Sequence, residues 1–112
     1  MLNKIRRKLI EVAKKENVIS YGDLAGFAEM PFDVDSERNR LYAILDEINR
    51  GEDAQGRPML SVVVVHKDDG KPGAGFFKLA KHIGLQKKSV SNDDFYTSEM
   101  IKVFNYWSKH PE

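Results

Sequence analysis

Met59-Leu60-Ser61-Val62-Val63-Val64-Val65-His66, followed at once by Lys67-Asp68-Asp69-Gly70-Lys71-Pro72-Gly73, is the stretch on which the reading of the fold turns. Its consecutive valines are stiff at χ1 and give the strongest strand propensity in the chain. The run is apolar at odd and even positions alike, so the expected strand is covered, at least in part, on both faces. Asp69-Gly70 is a hairpin signal inside the turn that follows. Gly75-Phe76-Phe77 then either returns as a short second strand or enters a helix directly. Phe76, Leu79, Ala80 and Ile83 have helical spacing, which favours a helix from near Phe76. Gly84 ends that segment, Gln86–Asn92 reads as a polar linker, and Asn92 or Asp93 caps a last helix carrying Phe95, Ile101, Phe104 and Trp107.

On the amino-terminal side, Leu2, Ile5, Leu9, Val12 and Ala13 recur at three- and four-residue steps between lysines and arginines, which predicts an amphipathic helix over about 2–16. Ser20-Tyr21-Gly22-Asp23 reads as a capping-box variant, the Ser20 hydroxyl accepting from the Asp23 amide, at the start of a short helix ended by Pro31. Asp33–Ser36 supplies N-caps for a third helix with a stripe of Leu41, Ile44, Leu45 and Ile48, closed by Gly51. Glu52–Pro58 reads as a surface loop. The expected fold is therefore α+β: a three-helix core, a β-hairpin, and one or two C-terminal helices in a single domain over 1–112.

Composition narrows the function classes. The chain has 112 residues, 41% hydrophobic and 31% charged, which suits one hydrophobic core. With no cysteine, disulfides, thiol nucleophiles and thiolate metal sites are excluded, and the usage suits a reducing cytoplasm. The longest apolar run, Val62–Val65, is far short of the ~20 residues a membrane helix needs, and no signal-peptide pattern follows the charged start, so a cytoplasmic protein without a membrane partner is expected. The net charge of +1 excludes a strongly basic or strongly acidic protein. It hides segregation, however. Basic groups predominate over 1–22 and 57–92, acidic groups over 23–56.

The order of three helices and a hairpin is similar, over residues 2–77, to that of a winged helix-turn-helix domain, whose third helix enters the major groove and whose hairpin is the wing. Locally, Tyr21-Gly22-Asp23-Leu24-Ala25 resembles the Tyr-Gly-x-Ile/Leu-Ala helix start of the DNA-binding domain of alkylguanine alkyltransferases and alkyltransferase-like proteins. Asp69-Gly70 with Gly73-Ala74-Gly75-Phe76 resembles their Asp-Gly turn leading into glycine and an aromatic. Their Pro-Cys-His-Arg segment is absent, so alkyl transfer is excluded.

The leading expectation is a non-enzymatic winged-helix-like protein, possible in a regulatory role, that binds DNA or RNA mainly through phosphate contacts. Lys4, Arg7 and Lys8 on the first helix and Lys67, Lys71 and Lys78 around the turn are the candidate phosphate contacts. Arg38, Asn39 and Arg40 sit in the first turns of the third helix, where base-reading side chains belong, although Asp33, Asp35 and Glu37 beside them repel phosphates. The competing reading makes these charges solvated faces. Gly73-Ala74-Gly75, between Lys71 and Lys78, is a candidate anion nest, weighed against a tight turn that lets Phe76 and Phe77 pack; the turn is favoured. His66, His82 and His110 lack ligand spacing, so no metal is expected, and no cofactor. An alternative is a small protein-interaction module, such as an immunity protein, antitoxin or adaptor, that meets a basic protein with the acidic stretch Asp33, Asp35, Glu37, Asp46, Glu47, Glu52 and Asp53.

Overall fold

A computed structural model of the chain describes residues 1–110. Its order is α1 (Leu2–Lys14), β1 (Ile19–Ser20), α2 (Tyr21–Phe27), α3 (Asp35–Ala54), a 3-10 turn (Leu60–Val63), β2 (Val64–Val65), α4 (Ala74–His82) and α5 (Asn92–Lys109). The expected α+β fold with a winged-helix hairpin is overturned. The molecule is mostly helical, and its sheet is a two-residue parallel ladder in which Ile19 faces Val64 and Ser20 faces Val65.

The valine run fails to extend as a strand because side chains, not a neighbouring strand, take its backbone donors. The Met59 amide donates to Glu99 Oε2 at 2.8 Å, and the Ser61 amide to Asn49 Oδ1 at 3.0 Å, while Asn49 Nδ2 donates to Ser61 Oγ at 2.7 Å. These contacts tighten Leu60–Val63 into a 3-10 turn. Only Val64 and Val65 are left to pair, and their partner lies on the far side of α2 and α3, so the pairing is parallel. The expected covering of the run holds: every residue from Met59 to Val65 is buried. The 3-10 turn is the hub of the core, touched by α1, α3 and α5, and Ile5, Leu9, Leu41, Leu60, Val62, Val63 and Val103 are all fully buried.

Asp69-Gly70 does make a turn, with Gly70 at φ +69°, but no second strand follows it and there is no wing. The chain enters α4 at Ala74, in line with the favoured helical alternative for Phe76 onward. Gly51 does not close the third helix. α3 runs on to Ala54, and Gly56, at φ +72°, takes the left-handed position. The supposed loop residue Glu52 is instead buried and grips Arg6 and Arg57, at 3.1 Å and 3.0 Å, which fixes the last turn of α3 against α1. Ser20 caps α2 as expected, accepting from the Asp23 amide at 3.0 Å. The cap of α5 is Ser91 rather than Asn92 or Asp93, accepting from the Asp94 amide at 3.1 Å.

Candidate functional site

The turn that was to form a wing instead delivers Gly73 to the start of α2. The His66 amide donates to Lys71 O and the Gly70 amide to His66 O, both at 2.8 Å, which closes the 66–71 loop. Pro72 is buried, and the Gly73 amide then donates to Tyr21 Oη at 2.8 Å. The Tyr21 ring lies tilted against His66, with centroids 4.7 Å apart, and edge-on to Tyr42 of α3 at 5.6 Å. Space at Gly73 is taken: a Cβ there would stand 3.0 Å from His66 Nε2 and 3.4 Å from Tyr21 Oη. A side chain at 73 therefore requires the His66 and Tyr21 rings to give way by a few tenths of an ångström. At Gly75 an added Cβ meets nothing.

Around this junction is a cavity of about 300 Å³. Its aromatic and apolar walls are Tyr21, Tyr42, Phe76 and Leu45, and its polar groups are Asp46, Asn49, Ser61 and His66, with Gly73, Ala74 and Gly75 at the rim. Tyr21 is buried, and burial pushes its phenol above the usual 10.0 against the opposing effect of the Gly73 amide. The neutral phenol keeps its proton to donate, since its oxygen is used as an acceptor. Asn49 and Ser61 are engaged with each other, which leaves the Ser61 hydroxyl proton for a further acceptor. Asp46 is half-buried, and among the described residues it has no ion-pair or hydrogen-bond partner. The rim is the N-terminus of α4, whose cap Gly73 supplies no side chain. Neither Gly73 nor Gly75 has positive φ, so the exposed amides there are those of a helix start and not a nest of alternating handedness.

The charged residues singled out in the sequence do not share one patch. Lys4 and Lys8 lie over the Phe27 ring of α2, at 5.1 Å and 5.0 Å, and Arg7 borders a shallow pocket beside Asn3 and Ile10. Arg38 pairs with Asp35 and donates to Phe32 O, Arg40 pairs with Glu37, and Asn39 is exposed. Lys71 pairs with Asp93 at 2.8 Å, and Lys67 is exposed on the turn. Only Lys78 borders the groove next to the cleft, which it shares with Tyr42, Asp46 and Gly75.

The sequence reading missed Tyr21, Tyr42, Asp46 and Asn49 as members of one site. A signal for two of them was present: Tyr42 and Asp46 are four residues apart, on a different side of α3 from the Leu41, Ile44, Leu45 and Ile48 stripe used to identify the helix. No group of His, Asp and Glu side chains able to hold a metal ion occurs among the described residues. No helix among them is long and apolar enough to cross a membrane. Comparison with known protein families, curated proteins and solved structures finds no match to this chain.

Proposed function

We propose that the protein binds nucleic acid by taking an unpaired base into the cleft between α2, α3 and α4. The carrying observation is the pairing of aromatic walls with polar groups at one point. Tyr42 offers an exposed aromatic ring and Tyr21 a buried aromatic wall, while the Asp46 carboxylate and the Tyr21 and Ser61 hydroxyls offer an acceptor and donors to a planar ring with a polar edge. The volume lies at the low end of small-molecule sites, about 300–1,000 Å³, which suits a single ring system. Tyr42 is 38% exposed, as a stacking residue at the mouth must be.

Two further points support a nucleic-acid ligand. The segments that carry the likeness to alkyltransferase-like DNA-binding domains, Tyr21–Ala25 and Gly73–Phe76, meet here through the Tyr21–Gly73 hydrogen bond. Lys67 and Lys78, exposed and outside any ion pair among the described residues, add positive charge on the loop and helix beside the cleft. The protein-interaction reading draws less support, because Asp35, Glu37 and Glu52 of the acidic stretch are already paired within the chain.

Fluorescence anisotropy of labelled single-stranded and duplex oligonucleotides across a salt series tests the proposal. Single strands are expected to bind more tightly than duplex, with affinity rising as salt falls. Tyr42→Ala is expected to weaken binding by about 1–3 kcal/mol, the usual contribution of one stacked base. Absence of binding at low salt, or equal binding by Tyr42→Ala, removes the proposal.

A further inference from the structure

We infer that the cleft continues into a phosphate subsite made by Arg50, Lys78 and His82, so that the group it holds is a nucleotide and not a bare ring; this rests on the base-binding reading above. Tyr42, Asp46 and Gly75 border both the aromatic cavity and a second groove, and that groove runs on between α3 and α4 to Arg50, Lys78 and His82. Helical spacing explains the continuity. Tyr42, Asp46 and Arg50 follow one another at four-residue steps along α3, and Gly75, Lys78 and His82 at three- and four-residue steps along α4, so each helix turns one stripe into the groove. From Tyr42 to Arg50 the stripe covers about 12 Å of helix axis, enough for a ring, a sugar and a phosphate laid end to end.

The groove's cations are among those that hold no carboxylate within the described residues. Arg6, Arg38, Arg40, Arg57 and Lys71 each hold a carboxylate elsewhere in the molecule. Arg50 and Lys78 are exposed and hold none among the described residues, and His82 is exposed beside them. The guanidinium, the ammonium and a ring N–H are all donors suited to phosphate oxygens. Asp46 stands between the two ends. Its carboxylate accepts N–H donors from a ring edge and repels phosphate, which sets the polarity of the ligand: ring toward Tyr21, phosphate toward Arg50. A free nucleotide and a nucleotide within a single strand present the same chemistry.

Calorimetric titration of the intact protein with the common nucleosides and their monophosphates tests this, alongside an Arg50→Gln/Lys78→Gln variant. Both substituted side chains are exposed, and circular dichroism checks that the variant is folded. At low salt at least one monophosphate is expected to bind about tenfold or more tightly than its nucleoside, from charge-assisted hydrogen bonds. That ratio is expected to shrink as salt rises and to fall close to one in the double variant. Equal affinity of monophosphate and nucleoside overturns the phosphate subsite and leaves the base reading standing. A ratio that persists in the double variant overturns the assignment to Arg50 and Lys78. Failure of nucleosides and monophosphates alike to bind removes both readings. A short single-stranded oligonucleotide that binds more tightly than the monophosphate, and loses that affinity in the double variant, supports the subsite with a strand as its source. Weaker binding of the strand, with the monophosphate advantage intact, supports it with a free nucleotide.

Discussion

Gly73 and Gly75 are separated by one residue and behave oppositely. Gly73→Ala places a methyl carbon 3.0 Å from His66 Nε2 and 3.4 Å from Tyr21 Oη, so the ring pair must shift. A loss of about 1–3 kcal/mol is expected, as for other overpacked sites. Gly75 is in the first turn of α4 with open space around it, and Gly75→Ala is expected to stabilise the fold by about 0.4–1 kcal/mol through the unfolded chain's lost freedom. Denaturant unfolding of the two variants checks both signs. The importance of a glycine in Gly73-Ala74-Gly75 could be read from the sequence, but not which one: the groups that crowd Gly73 are the His66 ring, brought back by the 66–71 loop, and the Tyr21 hydroxyl from α2.

Tyr21 also sets an alkaline limit. Burial raises both Tyr21 and Tyr96 above 10.0, so in alkali the unfolded chain gives up these protons first. Their contribution to stability is intact below about pH 10 and is lost as pH rises through the higher folded values. Tyr21→Phe is expected to lower stability near neutrality by about 1 kcal/mol, since the Gly73 amide loses its acceptor, and to make the alkaline decline shallower. Unfolding curves taken on both sides of the tyrosine range separate the two effects.

At the scale of elements, the 3-10 turn Leu60–Val63 shows how a strand-forming sequence is held in another shape. Its propensity is for β structure, yet Asn49 from α3 and Glu99 from α5 occupy the Ser61 and Met59 amides that a ladder would need. Asn49→Ala strands the Ser61 amide and hydroxyl in the core, where both residues are under 5% exposed. A loss of about 1–3 kcal/mol is expected by thermal or denaturant unfolding, with no gain of strand signal in circular dichroism. The amphipathic α1 and the Ser20 cap of α2 were legible because each depends on neighbours in sequence. The run from Met59, the length of α3 and the position of Glu52 were not, because each is decided by side chains from distant segments. Glu52 meets Arg6 across 46 residues. The Tyr42, Asp46 and Arg50 stripe lies within reach of helical-spacing arguments, but the polar residues of α3 are read from the sequence only as a base-reading first turn and an acidic stretch, and neither groups these three.

For the whole molecule, the near-neutral charge resolves into local pairs and into charges of both signs that hold no partner among the described residues. In the acidic middle, Asp35 pairs with Arg38, Glu37 with Arg40, and Glu52 with Arg6 and Arg57, while Asp46 holds no cation among the described residues; of the basic groups over 67–92, Lys71 pairs with Asp93 and Lys78 borders the groove. Neutralising Lys4 and Lys8, which lie over Phe27 away from the cleft, is therefore expected to cost less oligonucleotide affinity than neutralising Arg50 and Lys78. Salt-series anisotropy with the two double variants compares them.

The most direct measurement is amide chemical-shift mapping by NMR while a single-stranded oligonucleotide is added to the intact protein. If the cleft takes a base, the largest shifts fall on Gly73, Ala74, Gly75 and the turn of α3 around Tyr42 and Asp46, and they disappear in Tyr42→Ala. Shifts confined to α1 and Phe27, with the amides of 73–75 unmoved, would contradict a base-binding cleft.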